Sequence, residues 1–293
     1  MINTTLCKKG FYQTNMKLYR TTNGAVVLNN NLCYTLLKTD WNALINDDDL
    51  HQSLQTLIAN HRPVGSADWL NGQTILAPID RQEIWAAGVT YLRSKTARME
   101  EAEGAGGGSF YDRVYEAERP EIFFKANAHR TVGTGGTVRI RRDSAWNVPE
   151  PELTLLVTTN QKIVGYTIGN DMSSRSIEGE NPLYLPQAKT YDGCAALGPC
   201  LYVPDKPLSD DTQIEITIRR HKEVVFEGSI AISQMKRGHQ ELVGYLFREC
   251  SFSEGCFLMT GTGIVPPNDF TLKIADEITI SIEAIGTLWN VVG

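Results

Sequence analysis

Every second residue is an isoleucine in two runs of this chain, Gln213-Ile-Glu-Ile-Thr-Ile-Arg219 and Glu277-Ile-Thr-Ile-Ser-Ile-Glu283. Side chains of a strand alternate between its two faces, so a period of two makes each run a strand with one covered and one solvated face. A helix would scatter the same isoleucines around its surface. Further strand-like runs fall at 122–125, 137–140, 153–157, 163–169, 223–226 and 255–260. Together they predict an α+β fold that is mainly β.

Helices are expected where the period lengthens. One long helix is predicted over 232–250, and two shorter ones over 93–103 and 109–118, joined by Gly104-Ala-Gly-Gly-Gly108. No Lys-Ser/Thr follows that glycine run, so it is not a P-loop. It reads as a flexible connector, with a mobile lid as the functional alternative. Near the start, Asn23-Gly24 predicts a hairpin between 16–20 and 24–28. Leu50, Leu54, Leu57 and Ile58 share one face of a helix over 47–59, whose leading aspartates suit its N-terminus. The expected organisation is an extension over 1–15, a small α+β domain over 16–76 and a main domain over 77–293.

Composition narrows the function. A chain of 293 residues can bury a sizeable core. A net charge of −6 without a basic block speaks against nucleic acid and against a membrane surface. The first fifteen residues lack the apolar core of a signal peptide, and the six cysteines show no C-x-x-C spacing, so a cytoplasmic location with reduced thiols is expected. The five histidines are scattered, which disfavours zinc, and no nucleophile-elbow motif is present.

The segment Glu150-Pro151-Glu152 opens the apolar run 153–157. Residues i and i+2 of a strand share a face, and two adjacent anions need a cation or a proton. Asp171 closes the strand-like run 163–170 and offers a third carboxylate. Three carboxylates at strand ends suit a hard divalent ion such as Mg²⁺. The competing expectation is a solvated pair on an edge strand, a position that Pro151 tolerates.

Several segments together resemble the fumarylacetoacetate hydrolase family: Phe123-Phe-Lys125, Glu150-Pro-Glu152, residues 165–175 and 189–199, Thr260-Gly-Thr262 and residues 285–290. The resemblance spans roughly 80–290. It implies a mixed β-sandwich roll for the catalytic domain, dimers or tetramers, and a small anionic 2-oxo acid as substrate. By motif it places the metal ligands on Glu150, Glu152 and Asp171, for Mg²⁺ with Mn²⁺ or Ca²⁺ as alternatives. It puts Arg175, Lys189 and Thr262 at the substrate.

Two departures carry information. Where hydrolytic members have a Gly-x-Asn-Tyr-x-x-His stretch, this chain reads Gly88-Val-Thr-Tyr-Leu-Arg-Ser94, without the water-activating histidine. Ser176 also stands where an acidic residue is common. The stretches 119–126, 148–153, 180–189 and 260–266 resemble the dehydratase branch of the family instead. That implies Mg²⁺-dependent loss of water from a 2-keto-3-deoxy sugar acid, foremost 2-keto-3-deoxyarabinonate going to 2,5-dioxopentanoate, in sugar-acid catabolism. Lys189 and Glu121 are the candidates for the acid–base pair, Lys189 as base only if its pKa is depressed. The rivals are a hydrolase of acylpyruvates or diketo-deoxy sugar acids on the same metal, and a silent family member acting as a binding or oligomeric partner.

Overall fold

In the computed structural model of the chain, which describes residues 15–102 and 108–293, the two isoleucine runs lie side by side. They form the strands Gln213–Arg220 and Glu277–Ile282, antiparallel, with Ile216 opposite Ile280 and Ile218 opposite Ile278. All six isoleucines are buried, as the alternation requires. These strands are the middle of a five-stranded sheet completed by Glu223–Ala231, Gly286–Val292 and Thr137–Val138.

A larger sheet of eleven strands packs against it. From one edge its order is Gly65–Ser66, Leu32–Leu36, Gly24–Asn29, Met16–Thr21, Ala195–Val203, Ile163–Asp171, Pro151–Val157, Cys256–Met259, Glu83–Gly88 and Glu121–Asn127, with Thr131–Val132 beside Ala195–Val203. One face of its centre, through Leu153, Leu155, Ile168 and Cys200, shares a core with the isoleucines of the smaller sheet. The other face, through Leu18, Val27, Leu156 and Phe257, is covered by Leu50, Leu54 and Ile58 of the helix Leu50–Ala59. Each such side chain contributes roughly 1.5–3 kcal/mol on full burial, which fixes the layers. The result is an α+β, mainly β sandwich.

The predicted N-terminal hairpin forms, with Lys17 opposite Leu28. Its first strand also pairs with Ala195–Val203, so the N-terminal strands continue the large sheet. The aspartates stand at the helix N-terminus, with Asp49 as the N-cap residue, and one of them has a further task. Asp48 accepts hydrogen bonds from Thr158 Oγ1 (2.6 Å) and Asn160 Nδ2 (3.0 Å), tying the helix to the hairpin turn of the main sheet.

Two expectations fail. The long helix over 232–250 is a single 3₁₀ turn, Ile232–Gln234, followed by the helix His239–Leu246. Between them the backbone is drawn out by tertiary bonds: Met235 bridges Tyr91, and Lys236 N donates to Thr90 O at 2.8 Å. Gly238, extended at φ −72°, then caps the new helix with Glu241. The edge-strand reading of Pro151 fails too, because Pro151–Val157 is central and buried along its whole length. Proline is admitted because it holds the first position of the strand.

The helices Leu92–Ala102 and Gly108–Glu116 lie where they are predicted. The extension over 1–14 and the connector over 103–107 lie outside the described residues. The five described cysteines are free thiols, four of them buried. No helix among the described residues is long and apolar enough to cross a membrane.

Candidate active site

Five neighbouring strands of the large sheet run in directions that bring particular ends together. Pro151–Val157 is antiparallel to Ile163–Asp171 and to Cys256–Met259; Glu83–Gly88 is parallel to the latter and antiparallel to Glu121–Asn127. Glu150, Asp171, Gly261, Gly88 and Glu121 therefore gather at one end of the sheet. A small cavity of about 10 Å³ opens there, lined by Gly88, Val89, Ser94, Arg98, Phe123 and Thr262 around Glu150, Glu152, Asp171 and Lys189. Two larger clefts elsewhere, at Asp48–Gln52 and at Gly133–Gly136, carry no comparable cluster of buried charge.

The chain turns sharply at both walls. Val89 has φ +54°, a left-handed conformation that is strained for a β-branched residue and concentrates at functional sites. Gly261 has φ +92°, and a Cβ there would lie 2.1 Å from Thr90 Oγ1, so only glycine fits. Thr90 Oγ1 in turn donates to Thr260 O at 2.8 Å, locking the two turns together.

Ligand oxygens of Glu150, Glu152 and Asp171 lie within 4.8 Å of one another, and all three residues are buried. Lys189 Nζ donates to Glu150 Oε2 (2.5 Å), Ser173 Oγ (2.7 Å) and Asp171 Oδ2 (3.1 Å). Lys125 reaches Asp171 Oδ1 at 2.5 Å and also donates to the carbonyls of Met172 and Lys189. Arg175 bridges Glu150 (2.5 Å) and Glu178 (3.2 Å), and Glu178 pairs with Arg98. Glu152 accepts the Gly261 N–H at 2.6 Å and, among the described residues, faces no cation at salt-bridge range.

Electrostatics follow this wiring. Burial by itself would raise Glu150, but Lys189, Arg175 and Arg98 outweigh it and hold its carboxyl well below the usual range. Glu152 moves the other way: burial, then repulsion from Asp171 and Glu150, pushes it well up. Burial would lower Lys189, yet Asp171, Glu150 and Glu178 hold it above the ordinary lysine value. Glu121 is pushed up by burial, with Arg98 opposing, and its Oε2 has no hydrogen-bond partner among the described residues.

An all-oxygen triad with one carboxylate left unneutralised is the donor set of a hard divalent cation. The residues fit such an ion, since a charge at Glu152 would relieve the repulsion that now raises it. The chain therefore carries a buried divalent-metal site.

The sequence-predicted residues Glu150, Glu152, Asp171, Lys189 and Thr262 are brought together at one cavity. Glu121 stands directly behind Gly88, a residue of the cavity wall. Arg175 does not line the cavity; it lies behind Glu150, and the guanidinium at the cavity surface is that of Arg98. The Thr262 hydroxyl is turned into its own loop, donating to Ile264 O at 3.3 Å. The Ser94 hydroxyl is likewise engaged by the Tyr91 backbone. The precondition for Lys189 as a base, a depressed pKa, is not met in this arrangement. Sequence reasoning missed Arg98, Glu178 and Lys125 as members of the site. Lys125 had a signal in Phe123-Phe-Lys125, and Ser94 and Arg98 had one in their i, i+4 spacing on a single helix face.

The profile described as "Fumarylacetoacetate (FAA) hydrolase C-terminal" matches residues 83–293. A protein of Haloferax volcanii named "Probable 2-keto-3-deoxyxylonate dehydratase" is 49% identical over 215 residues, 73% of each chain. The 2-dehydro-3-deoxy-D-arabinonate dehydratase of Saccharolobus solfataricus is 43% identical over 222 residues, 75% of this chain and 74% of that one. Among solved structures, 2-keto-3-deoxy-D-arabinonate dehydratase complexed with magnesium and 2,5-dioxopentanoate is similar with a TM-score of 0.77 at 35% identity, over 95% of this chain and 98% of that one.

Proposed function

Because the chain belongs to the fumarylacetoacetate hydrolase family, we propose that it is a Mg²⁺-dependent hydro-lyase that dehydrates a 2-keto-3-deoxy sugar acid, foremost 2-keto-3-deoxyarabinonate to 2,5-dioxopentanoate. The observation that carries this reading is the carboxylate triad beside a cavity that no histidine lines among the described residues. Two dehydratase relatives above 40% identity, and a similar structure that holds magnesium with 2,5-dioxopentanoate, support the same choice. In this reading residues 77–293 are the catalytic unit and residues 16–76 extend its sheet.

Glu150, Glu152 and Asp171 would hold the ion, which would polarise the substrate's 2-oxo group and thereby acidify C3. Glu121, whose carboxyl is pushed up by desolvation, is the candidate to hand a proton to the departing C4 hydroxyl. Lys189 is the candidate to take the C3 proton, a role open to it only once the carboxylates that keep it charged are neutralised. Phe123, whose ring centroid lies 5.5 Å from Lys189 Nζ, keeps that wall apolar and limits water. Loss of H from C3 and OH from C4 leaves an alkene conjugated with the ketone. Moving the C5–H and C5–OH hydrogens to C3 and C4 then gives the aldehyde, with the carbon skeleton intact.

The test is incubation with 2-keto-3-deoxy pentonates and hexonates, with and without Mg²⁺, reading products by mass. One product lighter by one water, formed only with metal, is expected. Two fragments whose masses sum to substrate plus water would replace this reading with C–C hydrolysis.

A further inference from the structure

The helices Leu92–Ala102 and Gly108–Glu116 are an excursion between Glu83–Gly88 and Glu121–Asn127, two strands already paired with each other. The sheet therefore leaves the angle of the helix pair open. Its apolar footing is slight: Val89 with Met99, Val114 and Tyr115 forms a cluster of its own, apart from the two main cores. Yet the first helix brings Ser94 and Arg98 to the cavity wall, where Arg98 pairs with Glu178. With so little apolar area to bury, the pair depends on polar ties for its place.

One short segment supplies those ties at both ends. At the start, Lys236 N donates to Thr90 O (2.8 Å) and Met235 bridges Tyr91, whose backbone holds the Ser94 hydroxyl. At the end, Arg237 donates to the carbonyls of Val114 (3.3 Å), Ala117 and Glu118 (3.0 Å), where a helix leaves its last carbonyls unsatisfied and partly negative. Lys236 Nζ adds Tyr115 O (2.5 Å) and lies 4.1 Å from the centre of that ring. The Arg237 guanidinium is 8% exposed and is oriented by Glu241 Oε1 at 2.7 Å. Resting on the dehydratase reading for the substrate, we propose that Arg237 is a positioning residue of the site. It pins the helix pair against the sheet and thereby keeps Ser94 and Arg98 in the wall that encloses the 2-oxo acid. Its planar fork reaches the carbonyls of one helix end and Glu241 together, which the single ammonium of a lysine cannot do.

The experiment compares R237Q and R237K with R220Q, which breaks an ion pair to buried Asp276 in the smaller sheet. Backbone hydrogen exchange, the Kd of Mg²⁺ by calorimetry and the KM for 2-keto-3-deoxyarabinonate are read for each. In R237Q the amides of 95–99 exchange about tenfold faster or more, and KM rises on the same scale, that of a lost charged hydrogen bond. The Kd of Mg²⁺ stays within about twofold, because the metal triad stands at the ends of strands that Arg237 does not touch. R237K shows smaller changes of the same kind, and it carries the test if R237Q does not fold. R220Q lowers Tm but leaves exchange over 95–99 and KM within about twofold. Unchanged exchange, unchanged KM, a parallel loss of Mg²⁺ affinity, or the same changes in R220Q overturns the inference. If the wild type does not dehydrate the pentonate, the dehydratase reading has failed on its own. Exchange over 95–99 with Mg²⁺ bound then judges Arg237: faster exchange in R237Q than in R220Q supports its role, and equal rates refute it.

Discussion

Gly88 and Glu121 face each other across the edge of the large sheet so closely that a Cβ on Gly88 would lie 1.9 Å from Glu121 Oε2. The absent side chain is what lets the carboxyl stand directly behind the cavity wall. Gly88→Ala is therefore expected to displace Glu121 while leaving Glu150, Glu152 and Asp171 in place. Turnover should fall by about 10²-fold, the scale of lost acid–base help, with Mg²⁺ affinity unchanged. Isothermal titration beside steady-state kinetics checks both halves.

The metal triad gives a stability prediction. An ion that binds only the folded chain stabilises it by mass action, about 2.7 kcal/mol at a hundredfold excess over Kd. Mg²⁺ should raise the Tm of the wild type and leave Asp171→Asn nearly unmoved, while a chelator should return the wild type to its metal-free Tm. An equal rise in both proteins would place the ion elsewhere.

The raised Glu152 carboxyl predicts a pH dependence. Its pKa is higher folded than unfolded, so the metal-free protein loses this contribution to stability as pH rises from the unfolded value toward the folded one. Between those two values a cation must compete with a proton for Glu152. Mg²⁺ affinity should thus increase with pH through that window, with proton release on binding. Glu152→Gln should abolish the release. Calorimetry in two buffers of different ionisation enthalpy measures it directly.

Much of this arrangement was legible in the residues themselves. The alternating isoleucines gave two strands and their buried faces, and Glu150, Glu152 and Asp171 were recognisable because i, i+2 geometry and motif order are local properties. Arg98 and Glu178 were not legible, since their pairing joins residues 80 apart and depends on how two helices meet. The helix expected over 232–250 failed for a related reason. Its apolar spacing was real, but Met235 and Lys236 are held by the Thr90–Tyr91 turn, a contact that no local pattern records.

Lys125 offers a structural test. It is fully buried against Asp171, and removing one partner of a buried pair costs at most about 3–5 kcal/mol, a loss that Lys189 on the other Asp171 oxygen moderates. Lys125→Met should be destabilised within that limit in metal-free form. Mg²⁺ should recover part of the loss, since the ion would neutralise the same carboxylate. Urea denaturation with and without the ion distinguishes this from a simple packing defect, which Mg²⁺ would not correct.

The central claim is elimination on a carboxylate-held ion with the carbon chain preserved, and proton NMR of a running reaction tests it most directly. With purified protein, Mg²⁺ and 2-keto-3-deoxyarabinonate, the C4 methine signal should vanish as an aldehyde signal from C5 grows in equal amount. Glu152→Gln should show neither change. Appearance of pyruvate and a two-carbon fragment, or an aldehyde signal that grows equally without the ion, would contradict the account.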